Sequence, residues 1–136
     1  MKKYKLTDET IEFAFKTLHR IKALRDFGYV KAGDLGGFIE KEDNLSHEGN
    51  CWVGDNARVC GKTEVNAKVY GDAVVYDNAR VFGGAKIFDN AKVFGNAIIG
   101  SRASIFGNAK IFGDARIFGD AEITGNTKIS IMDPLF

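Results

Sequence analysis

The chain has 136 residues, enough for one ordinary domain or one short solenoid, and its 19 basic residues nearly balance its 18 acidic ones. That balance removes the global field through which nucleic acid or an anionic membrane is attracted and leaves only local stripes to consider. Two cysteines, Cys51 and Cys60, give neither a disulfide framework nor a zinc-ligand spacing, which points to reduced thiols in a cytosolic protein.

The chain opens on a basic run, Met1, Lys2, Lys3, Tyr4, Lys5, with no apolar stretch behind it. The segment IEFAFK at 11–16 is too short and too charged for a signal peptide or a membrane span, so a cytoplasmic protein without a membrane partner is expected. Residues 1–46 do not repeat. Thr7 or Asp8 could cap a helix, but residues 13–24 are rich in strand formers and alternate in part, which favours two strands joined by a turn. The run DLGGFIE at 34–40 reads as a tight turn into a strand. This segment is expected to cover the amino-terminal edge of the repeats downstream, because a bare solenoid end is an aggregation template.

From residue 51 a six-residue beat sets in, and from Val69 to Lys128 ten units keep step without an insertion. A fixed short period is the mark of a solenoid. In the unit Ala91–Asn96, alternation puts Ala91 and Val93 on one face of a strand and Lys92 and Phe94 on the other. Gly95 and Asn96 then supply the corner, since both residue types tolerate positive φ. The interior therefore receives one small and one branched aliphatic side chain per unit, which suits a narrow prism. Three units make an eighteen-residue triangular coil, with strands eighteen residues apart stacked in parallel at about 4.8 Å.

Between Val65 and Val69 the beat loses two residues, the aromatic-glycine pair. Parity survives, so Thr63, Val65, Ala67 and Val69 all still face inward, and one coil departs from the regular triangle at Asn66. His47 falls where a unit carries its inward aliphatic residue and reads as a partly buried irregularity of the first coil. The organisation expected is a capping segment at 1–46, a β-helix at 47–130 and a tail at 131–136, where Pro134 stops the ladder and an apolar end acts as a lid.

The repeat resembles the left-handed β-helix of hexapeptide-repeat proteins, although those carry glycine directly after the aliphatic residue, where this chain has Phe or Tyr and then Gly. The resemblance implies an all-β, single-stranded parallel triangular β-helix of about five coils, left-handed. Residues 18–24, 33–40 and 44–53, followed by Asn-Ala-Lys-Val-aromatic-Gly units, are also similar to a largely uncharacterised family of bacterial, prophage and phage proteins, some labelled polymer-forming or acetyltransferase-like. That likeness implies a β-helix in a phage or prophage setting and brings no established catalytic residues.

The outward aromatic position holds Tyr70, Tyr76, Phe82, Phe88, Phe94, Phe106, Phe112 and Phe118, an unusual exterior for a monomer. Stacking at eighteen sorts them into columns. One holds Tyr76, Phe94 and Phe112 beside Lys92, Lys110 and Lys128. A second holds Phe82 and Phe118 with Arg80 and Arg116, interrupted by Ile98 and Gly100, which leave a dent for a knob from a partner. A third holds Tyr70, Phe88 and Phe106 with Lys86, Ser104 and Glu122. Either the rings stack up each column to support the ladder, or one or two faces are buried against another chain. The lysine row beside stacked rings has the elements of a single-strand groove, but the corner carboxylates Asp72, Asp89 and Asp114 dilute its field.

Hexapeptide-repeat acyltransferases and carbonic anhydrases, as the resemblance implies, use a catalytic His near a subunit interface or three His on a metal. This chain has His19 and His47, both outside the regular repeat, no loop extruded from residues 69–128, and no GxSxG, Walker or HExxH motif. The expectation is accordingly a non-enzymatic interaction protein, with no catalytic residues, metal or cofactor. It would self-associate through its aromatic faces, most simply as a dimer, and in a phage setting engage a host protein complex as an anti-CRISPR-like inhibitor. The alternatives are a scaffold or filament component and a hexapeptide-repeat acyltransferase.

Overall fold

The computed structural model describes residues 2–131, and they are all-β apart from one short 3-10 turn, Glu42–Asn44. The hexads fold as their alternation dictates. Each contributes a short rung, and rungs stack in parallel into three faces, giving a solenoid of about five turns. One face is built from Arg58–Val59, Val74–Val75, Lys92–Val93, Lys110–Gly113 and Lys128–Ile131. The second stacks Trp52–Val53, Lys68–Val69, Lys86–Ile87, Ser104–Ile105 and Glu122–Ile123, and the third Glu64–Val65, Arg80–Val81, Ile98–Ile99 and Arg116–Ile117. Like sits on like: Lys92 pairs with Lys110 and Val93 with Ile111. The backbone is satisfied between coils, as in Phe94 N–H donating to Ile111 O at 2.9 Å.

Inside, alanines 73, 79, 85, 91, 97, 103 and 109 are fully or almost fully buried, as are the aliphatic residues two positions on. An alanine leaves room for the neighbouring face, so the inward side chains of the three faces pack into one apolar cluster. From the rung Lys68–Val69 to the rung Glu122–Ile123, every corner takes left-handed backbone, whereas no such corner follows Glu64–Val65. Gly71, Asp77, Gly83, Asp89, Gly95, Ser101 and Gly107 all have φ between 56° and 69°. Where aspartate holds the corner its carboxylate also works along the stack: Asp77 Oδ2 accepts from Gly95 N–H at 3.0 Å, and Asp89 Oδ2 from Gly107 N–H at 3.1 Å. These carboxylates are corner formers.

The shortened coil behaves as parity requires. Thr63, Val65, Ala67 and Val69 are all buried, and the bend between the rungs Glu64–Val65 and Lys68–Val69 falls at Ala67, one residue after the expected Asn66. Thr63 Oγ1 is buried without a hydrogen-bond partner. Replacing Thr63 by valine keeps the shape and removes an unsatisfied hydroxyl, so Thr63→Val is expected to raise stability by about 1 kcal/mol, read from the denaturant midpoint.

The amino-terminal segment forms β1 (Tyr4–Phe13) and β2 (Lys16–Ala23), an antiparallel hairpin with a bulge between Leu6 and Thr10, and β3 (Leu35–Ile39), antiparallel to β2. Strands, not a helix, win here because both faces of β2 find apolar partners: Ile21 and Ala23, two residues apart, are buried on one side, and Leu18, of the opposite parity, joins a separate cluster with Phe38 and Cys60. β3 then pairs in parallel with the first coil, Phe38 with Arg58 and Ile39 with Val59. Tyr4, Ile21, Ile39 and Leu45 join the solenoid's own apolar cluster, so the segment plugs the prism as well as extending one face. The tight turn lies upstream of the glycine pair: Asp34 N–H donates to Lys31 O at 2.9 Å, and Gly36 and Gly37 sit inside β3. The apolar lid expected around Pro134 lies outside the described residues.

Candidate functional site

Chemistry-bearing side chains gather where the cap meets the first coil. His47 is half-buried there, stacked on Tyr4 with ring centroids 4.2 Å apart and planes 10° from parallel. Its Nδ1 accepts the Lys3 backbone N–H at 3.1 Å, which fixes the proton on Nε2, and Nε2 donates to Glu42 Oε1 at 3.0 Å. Both ring nitrogens are therefore committed. Glu42 also receives Lys2 Nζ at 3.0 Å, and that ammonium above all, with the imidazole second, holds its carboxyl below the usual carboxylate range. A carboxylate with a depressed pKa adds stability above its unfolded-state value and loses it as pH falls through the folded one. The cap should thus loosen in acid, and Glu42→Gln is expected to flatten the fall of Tm between pH 6 and pH 3 relative to the parent.

Lys3, outwardly part of a basic terminus, is fully buried. Its ammonium sits 2.7 Å from Cys51 O, 3.3 Å from both Glu48 O and Gly49 O, 3.1 Å from Cys51 Sγ and 4.8 Å from the Phe27 ring centroid. Backbone carbonyls and an aromatic face do the work of a counter-ion. Composition gave no sign of this, and alternation pointed the other way, since Lys3 has the opposite parity to Tyr4 and Leu6.

His19 is arranged differently. On β2, half-buried, its Nδ1 lies 3.0 Å from Thr7 O. A carbonyl only accepts, so Nδ1 carries the proton and Nε2 presents its lone pair; among the described residues Nε2 has no hydrogen-bond partner. This is the disposition a general base requires.

An open cavity of about 560 Å³ lies between the cap loop and the first rungs of the second face. Trp52, Tyr70, Tyr29 and Phe27 supply aromatic walls, and Asp34, Asp55 and Lys68 the charge. Phe27 meets Trp52 edge-on at 5.2 Å. Leu35 lines this cavity, whereas His19 pairs with Ile39, four residues further along β3, so one chain does not bring its open imidazole into the cavity.

The exterior aromatics form ladders. Tyr70, Phe88 and Phe106 stack at 5.0 and 4.9 Å with planes within 3°; Tyr76, Phe94 and Phe112 stack at 4.9 and 5.1 Å within 7°. All six are half-buried by this stacking. The dent expected at Ile98 and Gly100 is closed: Phe82 and Phe118 lean together at 6.0 Å, and a Cβ on Gly100 would lie 2.7 Å from one ring and 2.8 Å from the other. No space remains for a partner's knob, yet these two rings are 39% and 46% exposed. Lys92, Lys110 and Lys128 form one in-register column, and Arg80 and Arg116 flank Ile98 on the third face.

Among the described residues no three His, Cys, Asp or Glu side chains are placed to hold a metal ion, and no helix is long and apolar enough to cross a membrane. No protein-family model matches the chain. A curated relative does. The chain is 36% identical over 87 residues to the uncharacterized acetyltransferase YdcK of Escherichia coli (strain K12), a match covering 56% of this chain and 27% of that protein. The chain thus spans about a quarter of the length of the relative it matches. Together with the stacked parallel coils, the match fits the hexapeptide-repeat family. It overturns the expectation of a non-enzymatic protein, because the relative is named as an acetyltransferase. That expectation rested on the scarcity of histidines and the lack of an extruded loop, and neither excludes a base such as His19 in the cap. The phage setting and the anti-CRISPR-like role receive no support from the match.

Proposed function

We propose that the protein is a hexapeptide-repeat acyltransferase, moving an acetyl or similar group from a thioester donor to a small acceptor. The observation that carries this reading is the 36% identity to a protein named as an acetyltransferase, on a chain that folds as stacked hexapeptide coils. His19 supports it as the general base, since its Nδ1–H is held by Thr7 O and its Nε2 is left to take a proton. His47 is a cap-anchoring residue in this reading, both its nitrogens being engaged. The test is transfer of labelled acetyl from acetyl-CoA to a mixture of amine and hydroxyl acceptors, read by mass spectrometry. Acetyl-CoA should also raise Tm in proportion to its occupancy. The absence of both turnover and a thermal shift at millimolar donor would count against the reading.

Self-association belongs to the same proposal. His19 and the cavity are separated within one chain, and a second copy is the simplest way to bring such parts together. The exposed pair Phe82 and Phe118 supports the third face as the contact. Light scattering is expected to give a discrete oligomer that dissociates in a Phe82→Ser/Phe118→Ser variant; a monomeric parent protein would refute this.

A further inference from the structure

We propose that the cavity between the cap loop and the second face is a binding site for a small organic cation, a primary alkylamine. Its role as the acceptor rests on the acyl-transfer reading; its identity as an amine site does not. The walls are aromatic, and the charged groups lining them are two carboxylates, Asp34 and Asp55, against one ammonium, Lys68. The lining itself sums to one net negative charge, but the Lys3 and Arg25 cations stand 4.8 and 5.9 Å from the Phe27 centroid behind that wall, so the preference for a cation rests on the free carboxylate oxygens and not on net charge. Aromatic faces beside carboxylates attract an alkylammonium, through the ring quadrupole on one side and through charge on the other.

Both carboxylates have capacity to spare. Asp34 Oδ2 accepts Lys31 N–H at 2.9 Å and Asp55 Oδ2 accepts Gly71 N–H at 2.9 Å, while among the described residues neither Oδ1 is engaged. The indole N–H of half-buried Trp52 is likewise without a partner among them. The molecule already shows the same chemistry next door. The buried Lys3 ammonium rests 4.8 Å from the Phe27 centroid, and Phe27 is itself a wall of the cavity. A volume of about 560 Å³ suits a small molecule.

As an acceptor, the bound ammonium first gives up a proton. Its nitrogen then attacks the thioester carbonyl, the new N–C bond forms, the C–S bond breaks, the amine's second proton goes to the base, and the thiol leaves after protonation. One ammonium and one thioester become one amide, one thiol and one released proton.

Trp52 is the single tryptophan of the chain, so its fluorescence reports this cavity without labelling. The experiment titrates the full chain with butylamine, with N-butylacetamide as its uncharged counterpart and with butyrate as its anionic one. Butylamine is expected to change the emission saturably and to bind at least about tenfold more tightly than either control. Asp34→Asn, which keeps an oxygen for the Lys31 turn bond, should weaken butylamine about fivefold or more, and Asp120→Asn at an exposed distant corner should not. Equal binding of N-butylacetamide, tighter binding of butyrate, or no response to the amine overturns the proposal. Amine binding without acetyl transfer would uphold this site and overturn the acyltransferase reading. Transfer to a hydroxyl acceptor with no amine response would do the reverse.

Discussion

Gly36→Ala and Gly37→Ala are each expected to lower stability by about 3 kcal/mol or more, seen as a fall in Tm of roughly 10 °C. Both glycines are buried in β3 where the cap lies against the first coil. A Cβ at Gly36 would stand 2.5 Å from Val53 O, 2.6 Å from the Trp52 ring and 2.7 Å from Ile21 Cγ1. At Gly37 it would stand 2.6 Å from Ala57 O and 2.9 Å from Val53 Cγ1. The obstructing atoms include backbone of the neighbouring rungs, which cannot step aside without breaking the stack. Arg20 fastens the same seam, with its guanidinium 4.3 Å from the Phe38 ring and its Nη1 donating to Gly36 O. Gly84→Ala is the matching control, because the nearest atom to its Cβ is at 3.4 Å and its surroundings are exposed. A stable Gly36→Ala protein would mean that the cap does not seat on the coil in this way.

His19→Gln is the second large effect expected, a loss of about a hundredfold or more in acetyl transfer with the fold retained. Glutamine can still donate an amide N–H to Thr7 O, so β1 and β2 keep their link while the basic nitrogen disappears. His47→Gln is expected to act on cap stability and to leave the rate per folded molecule within a few-fold of the parent. The contrast between the two variants separates a base from a structural imidazole. Loss of activity in His47→Gln with His19→Gln fully active would reverse the assignment.

The solenoid was legible because its causes are local and repeated. One hexad already states which side chains face inward and where the corner falls, and the two-residue deletion before Val69 could be traced by parity to within one residue of the bend, which falls at Ala67. The aromatic ladders were legible as one of two readings, since column membership follows from the eighteen-residue coil. The closure of Phe82 and Phe118 over Gly100 was not, because a missing side chain reads in sequence as a hole and in space as room for its neighbours. The cap was read as strands but its details escaped, and the reason is the same throughout. Lys3 is buried by carbonyls of residues 48, 49 and 51, His47 is oriented by Lys3 and Glu42, and the cavity joins residues 27–35 to Trp52 and Tyr70. These are unrepeated long-range contacts, and no period announces them. The open Nε2 of His19 depends on a bulged hairpin register that brings Thr7 O to its ring.

The measurement that bears most directly on the proposed activity is acetyl transfer itself. Purified protein is incubated with isotopically labelled acetyl-CoA and a panel of small amines, and products are identified by mass. An acyltransferase with His19 as its base yields labelled N-acetylated products in proportion to protein, with about a hundredfold less from His19→Gln. Labelled products at the same low level with and without protein, from a sample whose fold is intact, would contradict it.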